Sequence, residues 1–112
     1  MPVLNLHTNI SIDDKEALLK QASTLIAEAL GKPEGYVMIK LSDNESMSFA
    51  GTTEPLAFVE LKSLGLTTDQ TVPLSAIISG FISEQLGIEP ARIYIEFAAP
   101  ERAMFGWNGG TF

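Results

Sequence analysis

The chain contains no cysteine, one histidine and one tryptophan. Without thiols there are no disulfides, thiolate metal sites, cysteine nucleophiles or C-x-x-C redox chemistry. His7 has no second residue at ligand or triad spacing, and is assigned no catalysis. Cations are scarce: 7 Lys and Arg stand against 14 Asp and Glu, a formal charge of −7. Phosphate backbones are held by clustered cations, so the balance argues against nucleic-acid binding. An anionic small substrate is not, provided a local cation receives it. No segment approaches the ~18 apolar residues of a membrane span, and the N-terminus lacks the basic start of a secretory signal. The expectation is a soluble, cytoplasmic chain; unconventional export would leave no mark. The Gly109-Gly110 pair does not join a strand to a helix, so no phosphate-cradling loop is present. No metal-ligating constellation appears, and no cofactor is expected.

What is present is an ordinary globular composition over 112 residues, 46% hydrophobic and 19% charged, which suits one domain spanning 1–112. A chain this small gains from oligomerisation. Residues 2–8 alternate, with Pro2, Leu4 and Leu6 on one face and Val3, Asn5 and His7 on the other, which predicts a strand. Ser11 is expected to cap a helix with Asp13 and Asp14 in its first turn. Leu18, Ala22, Leu25 and Ala29, with Leu19, Ile26 and Leu30, follow helical spacing. Gly31 closes this helix and Pro33 forbids its continuation. Strands are predicted at 36–41, 56–64 and 92–97, with a short extra one at 47–49. In the 56–64 strand Ala57, Val59 and Leu61 share a face. A second helix, with Pro73 in its first turn, presents Leu74, Ile77, Ile78, Phe81, Ile82 and Leu86, and Gly87 ends it. The tail from Phe105 to Phe112 alternates aromatic and small residues. It is too apolar for a solvated tail and is expected to pack on the rest.

The two halves are alike. Gly31-Lys32-Pro33 leading into Tyr36-Val37-Met38-Ile39 is echoed about 56 residues later by Gly87-Ile88-Glu89-Pro90 leading into Arg92-Ile93-Tyr94-Ile95. Each half is a β-α-β unit. Together they predict an α+β fold, a four-stranded sheet with both helices on one face. The opposite sheet face is expected to be too apolar for water, so that other copies of the chain cover it.

Three features carry candidate chemistry. Pro2 follows Met1 directly, so trimming Met1 would leave a secondary amine held by a strand. Lys32 follows a helix C-terminus. A cation is favoured there by the helix dipole alone, and there too it could receive a carboxylate. Tyr36, Tyr94, Phe97, Phe105, Trp107 and Phe112 fit either a core or an aromatic-friendly pocket.

In these and other pieces the chain resembles the tautomerase superfamily, in its branch of macrophage migration inhibitory factor and D-dopachrome tautomerase. The matching pieces are Pro2, Thr8-Asn9, Gly31-Lys32-Pro33, Met47-Ser48-Phe49-Ala50-Gly51-Thr52-Thr53-Glu54-Pro55, Ser63-Leu64-Gly65, Arg92-Ile93-Tyr94-Ile95, and Gly106-Trp107-Asn108 with Thr111-Phe112. Seven pieces in order cover nearly the whole length.

The resemblance implies a homotrimer with active sites between subunits. It implies keto–enol tautomerisation of a small aromatic 2-oxo acid such as phenylpyruvate, possible also for dopachrome-type substrates. Pro2 takes the role of catalytic base, Lys32 that of carboxylate binder, and Leu64 supplies a backbone amide. Tyr94 comes from a neighbouring subunit, Tyr36, Trp107 and Phe112 form the aromatic surroundings, and Phe105 narrows the mouth. Three departures stand out, the first being Phe105 itself, which stands where the family usually has a smaller aliphatic residue. Glu96 replaces an asparagine, which predicts weaker activity if its charge faces Lys32. Leu56-Ala57-Phe58-Val59 stands where the mammalian cytokine has C-x-x-C, so thiol activity is lost. Two competing readings are a cytokine-like signalling or host-interaction ligand with a vestigial pocket, and a non-catalytic sensor should Pro2 never be freed.

Overall fold

The computed structural model describes residues Met1–Phe112. Four strands form one sheet: β1 (Pro2–Thr8), β2 (Met38–Ser42), β3 (Ala57–Ser63) and β4 (Ile93–Ala98), in the spatial order β2-β1-β3-β4. β1 runs parallel to β2 and β3 parallel to β4, while β1 and β3 pair antiparallel in the middle. The crossovers are two 16-residue helices, α1 (Lys15–Leu30) and α2 (Thr71–Leu86). The predicted pair of β-α-β units is therefore what forms.

Strand alternation builds the core. Pro2, Leu4, Leu6 and Thr8 on β1, and Ala57, Val59, Leu61 and Ser63 on β3, are all buried. Of these, Leu4, Leu6, Ala57, Val59 and Leu61 meet Leu18 and Ile26 of α1 and Leu74, Ile78 and Ile82 of α2 in a single cluster with Ile12, Ile88 and Ile93. Val59 and Leu61 are fully buried, and truncating a leucine at such a site costs roughly 2–5 kcal/mol. Ile77, expected in the same stripe, is 40% exposed. Its neighbour Ile78 takes the core position.

The helix-free sheet face corrects a sequence expectation. It carries Asn5, His7, Lys40, Glu60, Lys62 and Glu96 beside Val3, Met38, Phe58 and Tyr94, by the strand register. Charged and amide groups tolerate water, so apolarity alone does not require another copy of the chain to cover this face. His7 has a structural place there. Its Nε2 lies 3.0 Å from Glu60 Oε1, and its ring stacks on Phe58 at 5.8 Å.

Three boundaries also differ. Asp14, rather than Ser11, caps α1, its carboxylate accepting the Ala17 N–H at 3.1 Å. Tyr36 lies in a 3-10 turn (Glu34–Tyr36) after Pro33, and β2 begins only at Met38. The 47–49 stretch forms no strand; Phe49 makes a single bridge to Thr52. That turn is pinned from two sides. Arg92 donates to the carbonyls of Phe49, Thr52, Glu54 and Pro55. Asn9 exchanges hydrogen bonds with Thr53 and Leu56, and the Thr8 hydroxyl donates to the Leu56 carbonyl at 2.7 Å.

The tail packs only in part: Gly106 to Thr111 are exposed, and its Trp107 and Phe112 rings meet the rest of the chain at Tyr36. It forms a hairpin of β5 (Gly106–Trp107) and β6 (Gly110–Thr111). Its two turn residues, Asn108 and Gly109, both take positive φ (51° and 79°), the conformation that Asn-Gly accepts most easily in a two-residue hairpin.

Asp43 ties the end of β2 to the start of α1. It accepts the Ile12 N–H at 3.0 Å and pairs with Lys15 at 3.2 Å. The Ile12 hydrogen bond, then Lys15, hold its carboxyl below the usual 3.8. Stability from the ionised form is thus present above 3.8 and lost as pH falls through the lowered value. Asp43→Ala is expected to lower Tm at neutral pH, and the gap to the parent chain should close at about pH 2. An equal gap at both pH values in thermal unfolding would exclude the ionised carboxylate as the cause.

Candidate functional site

The topology brings four parts of the chain to one end of the sheet. β1 begins there, with Pro2 opposite Ser63. The run into β2 passes there, since Met38 pairs with Val3. β3 and β4 both leave the sheet there, at Ser63 and Ala98. The last three strand ends deliver Lys32, Leu64 and the 100–102 turn.

Lys32 is positioned by the end of α1. Gly31 turns left-handed at φ 64°, its N–H reaching Glu28 and that of Lys32 reaching the Ala27 carbonyl at 3.0 Å. This paired closure fixes the backbone from which the lysine leaves. Lys32 Nζ then donates to the Leu64 carbonyl at 3.0 Å. No carboxylate pairs with it, as the ion pairs of the chain are His7–Glu60, Lys15–Asp43 and Lys20–Glu16.

A cavity of about 400 Å³ lies at this end, lined by Met1, Lys32, Leu64, Gly65, Pro100, Glu101, Arg102 and Phe112. Pro2 is buried behind Met1, and with Met1 attached its nitrogen is a tertiary amide that cannot hold a proton. The Met1 amine has its pKa pushed below the usual 8.0, first by burial and then by the positive charges of Lys32 and Arg102. The Ser63 hydroxyl, buried and opposite Pro2, has no hydrogen-bond partner. Another cavity, of about 260 Å³ at the start of α1, is lined by Asp13 and Asp14 and by no cation, and so disfavours anions.

The aromatic residues gather beside the first cavity. Phe112 lines it and stacks on Trp107, with ring centroids 5.4 Å apart at 24°. Tyr36 meets Trp107 edge-on at 5.6 Å and Phe112 at 6.2 Å. Phe105 contacts Phe112 at 6.3 Å and accepts its N–H at 3.1 Å through the backbone. Phe105 does not line the cavity; it braces the ring that does.

Tyr94 and Glu96 are elsewhere. Tyr94 pairs with Phe58 on β3, five positions from Ser63, which is roughly 17 Å along a strand. It is 66% exposed and packs on Phe49 at 4.8 Å. Glu96 is exposed on the helix-free face beside Glu60. Within one chain neither reaches the Lys32 cavity.

Sequence reasoning missed Arg102. Its signal was faint: one of few basic residues in an acidic chain, next to Pro100-Glu101 where the last strand ends.

The family profile described as "Macrophage migration inhibitory factor (MIF)" matches residues 1–112. The chain is 37% identical to a macrophage migration inhibitory factor homolog of Brugia malayi, over 100% of this chain and 99% of the relative. It is 34% identical to macrophage migration inhibitory factor of Xenopus tropicalis at the same coverage. Among solved structures, the homologue from Prochlorococcus marinus superposes with TM-score 0.94 at 41% identity, covering 98% of both chains. The factor from Trichinella spiralis superposes at 0.93 with 32% identity, covering 98% of this chain and 99% of the other.

The ring cluster offers an optical handle, because Trp107 is the only tryptophan and half exposed. Phe112→Ala is expected to red-shift Trp107 emission and to cost on the order of 1 kcal/mol in lost ring stacking. Unchanged emission would mean that Phe112 does not shield the indole in solution.

Proposed function

The chain belongs to the macrophage migration inhibitory factor family, and from that premise we propose that it is a keto–enol tautomerase of aromatic 2-oxo acids such as phenylpyruvate. Proteins of this family are generally tautomerases, which supports an isomerase at the coarse level. The finer reading rests on one observation: the start of the chain, Lys32 and the Phe112 ring share a single cavity.

Removal of Met1 turns Pro2 into a secondary amine at the wall that Met1 now forms. The neutral amine takes a proton from C3 of the keto acid. The C–H electron pair becomes the C2–C3 double bond, and the carbonyl oxygen receives a proton from the protonated amine or from water, giving the enol. The reverse order converts enol to keto acid. Lys32 holds the substrate carboxylate and, with burial, disfavours the protonated amine. The Leu64 backbone borders the carboxylate end, and Phe112, backed by Trp107, Tyr36 and Phe105, faces the substrate ring.

The base must be neutral, so activity falls as pH drops through the amine pKa. The surroundings that depress the Met1 amine act on Pro2 once Met1 is gone. The acidic limb of kcat/KM is therefore expected below the pKa of an unburied N-terminal proline amine. Lys32→Gln should shift that limb upward and raise KM. Pro2→Gly, in protein whose intact mass confirms loss of Met1, is expected to lower kcat at least about a hundredfold, in the range of general-base catalysis. Wild-type turnover in the Pro2→Gly variant would remove Pro2 as the base.

The proposal includes a homotrimer. Tyr94 is too distant to serve its own cavity, so a neighbouring copy would have to supply it together with Glu96. Light scattering is expected to give three times the 12.1 kDa chain mass. Glu96 then brings a negative charge toward Lys32 of the neighbour, and Glu96→Asn should raise kcat/KM. A stable monomer that retains full activity would refute the shared site.

A further inference from the structure

We propose that Arg102 is a second carboxylate-binding residue of the cavity, closing with Lys32 on the anionic end of a 2-oxo acid. This rests on the tautomerase reading for the identity of the substrate, but not for the binding itself.

The chain has two arginines, and the structure uses them differently. The Arg92 guanidinium is occupied by four backbone carbonyls and lies over the Phe49 ring at 5.3 Å. It is a structural clamp. Arg102 makes no side-chain hydrogen bond and no ion pair, although it lines the same cavity as Lys32. A guanidinium with no partner, lining the same cavity as an ammonium bonded only to the Leu64 carbonyl, in a chain of charge −7, is an arrangement that an anion completes. Glu101 is the one acid in the lining, and it too pairs with neither cation.

The backbone under Arg102 is fixed while its side chain is uncommitted. Arg102–Met104 form a 3-10 turn closed by Met104 N–H to Glu101 at 2.9 Å and Phe105 N–H to Arg102 at 3.2 Å. The Phe112 N–H then ties the tail back to Phe105. A guanidinium fork meets a carboxylate in the plane of its two oxygens, whereas an ammonium acts as a point charge. The two cations can therefore hold one carboxylate from different sides and set its orientation, which a lone lysine does not. The depression of the Met1 amine pKa by Arg102 agrees with a guanidinium facing the chain start.

The test uses full-length protein free of Met1. Arg102→Gln is expected to raise KM for phenylpyruvate about tenfold, the size of one charge-assisted hydrogen bond, with kcat altered less than about threefold. KM for phenylpyruvate methyl ester, which lacks the charge, should be unmoved, and Arg102→Lys should recover part of the loss for the acid. Binding of 3-phenylpropionate, a carboxylate that cannot tautomerise, should weaken by the same factor when followed by calorimetry. An unchanged KM and Kd for the acids, or an equal rise for acid and ester, overturns the role. Binding that depends on Arg102 without any turnover by the parent chain would sink the tautomerase reading and support this inference. Turnover with Arg102-independent binding would do the reverse.

Discussion

The antiparallel pairing of β1 with β3 is the contact on which the rest of the structure depends. Each β-α-β unit is complete in itself, with parallel strands joined across a helix. Neither unit has a closed core alone: Val59 and Leu61 of the second unit are buried together with Leu4 and Leu6 of the first. The seven-residue register from Pro2–Ser63 to Thr8–Ala57 aligns their apolar faces under both helices. A slip of one residue would turn Leu4 and Leu6 outward and Asn5 and His7 inward. The same register sets Pro2 against the end of β3, so the position of the chain start follows from core packing.

Because the two units meet head to tail, each end of the sheet receives two strand starts from one unit and two strand ends from the other. At one end β1 starts while β3 and β4 finish. The entry to β2 arrives there too, since β2 is parallel to β1. Lys32, Leu64 and Arg102 are far apart in sequence, yet each sits one to four residues beyond a strand or helix end at that edge. Such placement suits a site well. The hydrogen-bonded strands hold the backbones, and the short exits let side chains face a shared space without burying unpaired polar groups.

Much of this was legible in the sequence where the signal was periodic. The strand alternation of 2–8, the helical stripes, the caps at Gly31 and Gly87 and the echo between halves all correspond to elements that form. Failures occurred where the signal was local and ambiguous. Ser11 and Asp14 are both competent caps, and the choice went to the residue whose carboxylate meets the Ala17 N–H. Tyr36 looks like strand, but Pro33 imposes a turn first. The polarity of the helix-free face is in fact legible from alternation, which sets Asn5 and His7 opposite Leu4 and Leu6, and Glu60 and Lys62 opposite Val59 and Leu61. Arg102 was missed because being unpaired in a cavity is a tertiary fact. Several motif pieces have a structural place within the chain. Thr8-Asn9, the 49–55 turn and Arg92 are one hydrogen-bonded assembly, far from the Lys32 cavity.

The internal repeat also explains why only one end of the sheet carries a cavity with free cations. The position after the helix-ending glycine is Lys32 in the first half and Ile88 in the second. Ile88 is fully buried and belongs to the core. The start of β3, which is the counterpart of the start of β1, lies inside the chain and is covered by the turn that Arg92 holds down. The second unit thus applies its arginine and its isoleucine to closing its end, and the first leaves its lysine uncommitted to any carboxylate. The fold is close to twofold symmetric, and its candidate chemistry lies where two features break that symmetry: a lysine in place of an isoleucine, and a first strand that begins at Pro2 directly after Met1. In an acidic chain, that end is also where two cations without a carboxylate partner line one cavity, so long-range charge repels an anion from most of the surface and local charge attracts it there.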